Sequence, residues 1–279
     1  MLTSRNYAPA ADLAPYIRRH YVFEADMPAN FVVEDQILSE TAFVRVILNG
    51  DWQGRLETGE IGRAGPALLF GGNYTPFPAK VTGAFRMAGF AVKPSAWRAL
   101  FSESAPDLVD RMLPLEQVWP GIAETMLSEM QGATTDEGIV AAMEKAIRAQ
   151  IQHIGRPGVD HKVAIFEEIA RTESTLKVEI AALRMGLSIG QTERRVRACY
   201  GLTPKAVLRR SRFLELATAM RGLYAPDEQH LAVLRYFDQS HVNRECRHFT
   251  GRNPSVFKKD FTPLFDVGLK LRLEGLTLP

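Results

Sequence analysis

Apolar positions in the C-terminal part of the chain recur at helical spacing twice, on the same plan. Thr192, Val196 and Cys199 form one stripe in a segment that starts at Ser188 and stops at Gly201. Val242, Cys246 and Phe249 form the matching stripe between Asp238 and Gly251. Ser188 and Asp238 are N-cap residues, Gly201 and Gly251 tolerate the positive φ of a helix C-terminus, and Pro204 and Pro254 follow each stop. Each pattern predicts a helix of about three turns. Shifting the first copy by 50 lays Ala182 on Ala232, Arg194 on Arg244, Arg197 on Arg247, Gly201 on Gly251 and Pro204 on Pro254, so one supersecondary unit is used twice.

The face opposite each stripe carries Gly190, Arg194 and Arg197 in the first copy and Ser240, Arg244 and Arg247 in the second. Upstream, Val178–Leu183 reads as a short amphipathic helix leading through Gly186 to the Ser188 cap, and Leu231–Leu234 plays the same part before Asp238. A short helix, a turn and a helix with a basic outer face make a helix-turn-helix, whose second helix enters a major groove. Charge follows the same division. Residues 1–160 carry 14 Lys and Arg against 19 Asp and Glu, and residues 161–279 carry 20 against 13, which suits a polyanion partner for the second part. Arg195, Arg197, Lys205, Arg209, Arg210, Arg212, Arg247, Lys258 and Lys259 are the candidate phosphate contacts.

Residues ~165 to ~262 resemble the DNA-binding domain of AraC/XylS-type transcription regulators, most specifically over Phe237-Asp238-Gln239-Ser240-His241-Val242-Asn243-Arg244 through Asn253-Pro254. The resemblance implies that base edges are read from the exposed N-terminal half of each second helix: Gly190, Glu193 and Arg194, then Gln239, Ser240, His241 and Arg244. Arginine suits guanine O6 and N7, and glutamine suits adenine.

In the N-terminal half, residues ~18 to ~93 read as short β-branched and aromatic strands broken by Gly and Pro, an antiparallel barrel or sandwich. Phe43–Leu48 ends at Asn49-Gly50-Asp51, a hairpin signal from which Trp52–Leu56 would return. This half resembles the cupin-like sensor domains that precede some AraC-type domains. The expected class is α+β, an N-terminal antiparallel β-barrel plus helices and a C-terminal all-α domain with two helix-turn-helix motifs. The divisions are 1–118 for the sensor, 119–158 for a helical linker and 159–279 for the DNA-binding domain. In the linker Val140, Met143, Ile147 and Ile154 stand at near-heptad spacing, interrupted by Gln150, and form either a dimer seam or a face packed on the chain's own barrel.

Candidate small-molecule chemistry is sparse. Trp52, Phe70, Tyr74, Phe85 and Phe90 either line an effector pocket or fill the barrel core. Arg45, Arg55 and Arg86, on strand-like segments, face either an anion inside or solvent outside. No histidine lies between His20 and His153, so the ligand cluster of a metal-binding cupin cannot form, and no phosphate loop is present. Cys199 and Cys246 lie on the buried stripes and read as small core hydrophobes in a reducing compartment. No catalytic residue, metal or cofactor is expected, and no apolar run approaches the ~18 residues of a membrane span. The expected protein is a cytoplasmic, nucleoid-associated transcription regulator that binds double-stranded DNA. Its further partners would be a small effector, a second copy of the chain and RNA polymerase. The alternative is a small-molecule-modifying enzyme with a regulatory helical appendage.

Overall fold

The computed structural model describes residues 2–56, 58–156, 158–224, 234 and 239–277. Eight strands form one antiparallel sheet, β1 (Leu2–Tyr7), β2 (Ile17–Ala25), β3 (Val32–Ile37), β4 (Phe43–Arg55), β5 (Ile61–Gly62), β6 (Ala67–Phe70), β7 (Phe77–Val92) and β8 (Met112–Pro114). The pairing order is β1-β2-β7-β4-β6-β8, with β3 beside the first half of β7 and β5 beside the end of β4. The end strands β1 and β8 do not pair with each other, so the ladder is not closed. Helices follow as α1 (Trp97–Leu100), α2 (Ile122–Gly132), α3 (Asp136–Ile154), α4 (His161–Thr172), α5 (Val178–Met185), α6 (Ile189–Tyr200), α7 (Pro204–Met220), α8 (Gln239–Thr250), α9 (Pro254–Phe257) and α10 (Pro263–Thr277).

Alternation along the strands sorts the core into two layers. Val22, Val44, Val46, Leu69, Ala88 and Phe90 face one side, where they meet Trp97, Phe101, Trp119 and α2–α3. Tyr21, Phe23, Phe43, Trp52, Phe70, Phe85 and Met87 face the other side, where Leu264, Val267 and Leu271 of α10 cover them. This helix packs on both sides, since its Phe265 and Leu269 join Phe213, Leu214 and Phe249 of the helical half. The first layer also runs on without a break into Val163 and Phe166 of α4, Met185 of α5, Val196 of α6 and Val207 of α7.

The hairpin expected at Asn49-Gly50-Asp51 is not formed. β4 continues from Phe43 to Arg55, pairs with β7 on both sides of that point, and shifts register between Ile47 and Asp51. Gly50 supplies a positive φ of +102° for a bulge that bends the strand, and a Cβ there would lie 2.6 Å from Cβ of Phe85. The return occurs after Arg55, where β5 pairs with Gly54 and Arg55.

Helix α3 spends its apolar stripe on its own chain. Ile139, Met143, Ala146 and Ile147 are buried in the first layer, and Gln150, the break in the heptad, donates from Nε2 to the carbonyl of Leu100 at 2.9 Å. Of the four stripe residues, Met143 and Ile147 pack in the chain's own core, while Val140 and Ile154 are half-buried. At its N-terminus Asp136 accepts from Arg5 at 2.6 Å, Tyr7 at 2.6 Å and Arg86 at 2.7 Å. Burial favours the protonated carboxyl, but these three donors outweigh it and hold the pKa at about 2. Arg86 thus faces away from the inner layer.

His20 is fully buried on β2, edge-on to Phe90, with Nε2 3.5 Å from Glu144. Burial lowers its pKa to about 4, and the attraction of Glu144 restores only part of the loss. An unfolded imidazole titrates near 6.5, so between the two values the unfolded chain binds more protons. His20 therefore contributes full stability above pH 6.5, lost as pH falls toward 4. Unfolding in urea is expected to show a loss of roughly 2 kcal/mol from His20 between pH 7 and pH 5. His20→Phe should flatten that interval, and an unaltered slope in the variant would assign the loss elsewhere.

Candidate nucleic-acid interface

The first helix-turn-helix unit is α5 and α6, and its turn is closed by local hydrogen bonds. Gly186 takes the left-handed conformation at φ +63°, and Leu187 donates back to the carbonyl of Ala182 at 3.0 Å. Ser188 caps α6 by accepting from Gln191 N at 3.2 Å, while Gln191 Oε1 accepts from Ser188 N at 2.9 Å. This reciprocal capping box was legible in Ser188-Ile189-Gly190-Gln191. Thr192, Val196 and Cys199 are buried as the stripe required, and Glu193, Arg194, Arg195 and Arg197 are exposed. Gly201 ends the helix at φ +75°.

In the second unit the described part is α8, with Leu234 before it. Tyr236, Phe237, the Asp238 cap, Leu231–Val233 and the side chain of Gln239 lie outside the described residues. Val242, Cys246 and Phe249 are buried, and Ser240, His241, Arg244 and Arg247 are exposed on the other face. Gly251 ends α8 at φ +69°. The two second helices therefore match in buried stripe, exposed arginine pair and glycine stop.

Among the phosphate candidates, Arg197, Lys205, Lys258 and Lys259 are exposed. Arg195 is exposed but paired with Asp160 at 2.6 Å, and Arg247 donates to Asn253 Oδ1 at 2.6 Å. Arg209 is partly buried, bidentate to Glu245 of α8 at 2.8 Å for both bonds, and donates to the Tyr74 hydroxyl at 2.6 Å. Arg210 corrects the sequence reading. It is fully buried and donates to the carbonyls of Asn73 and Glu40, so it cannot reach a phosphate in this arrangement. The helical period explains the difference: α7 turns neighbouring positions about 100° apart, and only one of two adjacent arginines faces outward.

Both units touch the sheet half. Arg194 and Arg197 border an open groove whose other wall includes Arg98, Phe101 and Ser104, with Arg156 at its rim. The backbones meet closely there, since a Cβ on Gly201 would lie 2.6 Å from the Ala105 carbonyl oxygen. On α8, His248 lies edge-on to Tyr74 with ring centroids 5.0 Å apart.

The five proposed effector-pocket aromatics do not surround one space. Trp52, Phe70 and Phe85 fill the inner layer, and Phe70 stacks on Phe43 at 4.4 Å. Phe90 points through the opposite face of the sheet and stacks on Trp119 at 5.8 Å, while Tyr74 sits at the seam with α7 and α8. Strand alternation separates Phe85 from Phe90, five positions apart. The cavity on the inner side is bordered instead by Arg18, Arg19, Tyr21, Phe43, Arg45 and Arg272, among others. Of the three strand arginines singled out from sequence, Arg45 faces this cavity and Arg55 is exposed. Arg18, Arg19 and Arg272 were missed; the odd-numbered parity Arg19 shares with Tyr21 and Phe23 was the available signal.

Burial pushes the Cys199 thiol up to about 12 and raises that of Cys246, so both are inert core groups. Among the described residues no three His, Cys, Asp or Glu side chains are grouped to hold a metal, and no helix is long and apolar enough to cross a membrane.

Residues 5–114 match a family model described as Domain of unknown function (DUF6597). No curated protein matches the sequence. Among solved structures the chain is similar to wild-type ToxT from Vibrio cholerae strain SCE256 bound to an unsaturated fatty acid, at 8% identity over 86% of this chain and 94% of that one, with a TM-score of 0.48. It is also similar to another ToxT structure from Vibrio cholerae, at 9% identity over 92% and 97%, with a TM-score of 0.47. The solved structures to which it is similar further include the AraC-like transcriptional activator CuxR, at 12% identity over 77% of this chain and 86% of that one, with a TM-score of 0.23.

Proposed function

We propose that the chain is a sequence-specific DNA-binding transcription regulator whose DNA-binding half, residues 159–279, is governed by a small effector held in the N-terminal half. The observation that carries this reading is the match between α6 and α8: each buries one stripe and presents Arg194 and Arg197, or Arg244 and Arg247, at equivalent places. Arg194 and Arg244, midway along these helices, would reach base edges, while Arg197 and Arg247 in the last turns and Lys205, Lys258 and Lys259 beyond them would hold phosphates. Glu193, Ser240, His241 and Gln239 complete the base-reading set. The reading gives the chain no catalytic step and places it in the cytoplasm, with RNA polymerase and a second copy as further partners.

Selection of sites from random duplex DNA with the full chain supplies the cognate sequence for the test. Arg244→Ala is expected to cost about 1–3 kcal/mol at that site and to relax preference at one base pair. Lys258→Gln with Lys259→Gln should weaken all sequences alike and make the slope of log affinity against log salt shallower by about two. A full chain that selects no sequence would defeat the reading.

A further inference from the structure

The inner-side cavity gathers four guanidinium groups and one carboxylate against a largely apolar lining. Arg45 on β4 is 9% exposed and lies over the rings of Phe43 at 5.1 Å, Phe70 at 5.6 Å and Trp52 at 5.8 Å. Its Nε and Nη1 are buried with no hydrogen-bond acceptor among the described residues, and the same holds for Nε and Nη1 of Arg19, also 9% exposed. Arg272 of α10 is 4% exposed; one of its nitrogens donates to the Arg171 carbonyl at 3.2 Å, while its Nε, 3.7 Å from Glu40, has no hydrogen bond. Arg18 sits where β2 slips register against β7, and its closest carboxylate, Glu167, is 3.9 Å away. Glu40 is the one carboxylate bordering the cavity, and Glu274 adds only a longer-range attraction on Arg19.

Buried cations with unmade hydrogen bonds are costly, and a fold retains them when they have a use. Planar N–H forks match carboxylate and phosphate oxygens bidentately. Apart from Ser39, Glu40 and Thr41 at one end, the remaining walls, among them Phe23, Ile37, Leu214 and Leu271, are mostly hydrocarbon. We infer that this cavity is a binding site for an amphipathic organic anion, its carboxylate or phosphate head held by Arg19, Arg45 and Arg272 and its apolar body laid against the aromatic layer. Arg272 and Leu214 come from α10 and α7, so the ligand would bridge the sheet to the helical half. That α10 is fixed to the sheet by Asp35, which accepts from Leu264 N at 2.8 Å and Phe265 N at 3.0 Å. Control of DNA binding by this ligand rests on the proposed regulator function; the binding site itself does not.

The test uses the full chain with decanoate, decyl phosphate and neutral decanol below their aggregation concentrations, by calorimetry and thermal unfolding. One of the two acids is expected to bind and to raise Tm, at least about tenfold more tightly than decanol, and the tighter of the two identifies the head group. Arg45→Met should raise the Tm of the protein alone, because a buried unpaired charge is removed, and should weaken the acid at least about tenfold. Arg19→Met gives an independent check on the second orphaned fork. Equal affinity for decanol and both acids, binding of none of them, or acid binding unchanged in both variants would overturn the proposal. A parallel mobility shift on the selected DNA separates the two readings. Acid binding without any DNA binding leaves the site standing and removes the regulator, and DNA binding without acid binding does the reverse.

Discussion

Alanine at Gly201 is expected to destabilise the protein by about 3 kcal/mol or more, while alanine at the equivalent Gly251 costs about 1 kcal/mol. The two glycines end α6 and α8 in the same left-handed conformation, at φ +75° and +69°. Each alanine bears the conformational penalty of a Cβ in that region. The surroundings then separate them. At Gly251 nothing lies within 4 Å of the added carbon, whereas at Gly201 it would stand 2.4 Å from Cγ2 of Val109 and 2.6 Å from the carbonyl oxygen of Ala105. A backbone oxygen cannot be relieved by a change of rotamer, so the 105–109 segment must shift or α6 must lift. Urea unfolding of both variants beside the parent reads the difference. Equal losses at the two positions would mean that the seam between α6 and the sheet half gives way at no cost.

What the sequence disclosed is local. Caps, stops and stripes of the helices are set within a dozen residues, so the roles of Ser188, Gly201, Thr192, Val196 and Cys199 follow from the local pattern alone. Strand identity was legible for β2, β4, β6 and the second half of β7, but not for β1, β3 or β8. What escaped it depends on partners distant in the chain. Asn49-Gly50 has the chemistry of a hairpin turn, but long-range pairing with β7 on both sides converts it into a bulge. The five aromatics looked equivalent as a composition, yet alternation sends Phe85 and Phe90 to opposite layers, and only the register decides which layer borders a cavity. Arg19 and Arg45 were ordinary strand arginines until α10, more than two hundred residues later, covered the face they share.

Arg210 shows the same limit and gives the sharpest stability test. Arg210→Met is expected to cost about 2–5 kcal/mol and to leave the salt dependence of DNA binding unchanged. The guanidinium is fully buried and donates to the carbonyls of Asn73 and Glu40, which hold α7 against the loops of the sheet half. Methionine approximates the aliphatic stem but donates to neither carbonyl, and each orphaned acceptor costs about 1–3 kcal/mol. Burial already pushes the Arg210 pKa down, so losing the charge recovers part of that cost and keeps the total below the sum of both acceptors. Arg209, one position earlier and partly exposed, makes bonds of good geometry to Glu245 and Tyr74, and its replacement by alanine should cost about 1–3 kcal/mol, since the Glu245 carboxylate it leaves is buried. A salt slope shallower by about one in the folded Arg210→Met protein would return this residue to the phosphate-binding set. It would also mean that the helical half leaves the sheet when it engages DNA, because Arg210 cannot satisfy Asn73, Glu40 and a phosphate from one buried position.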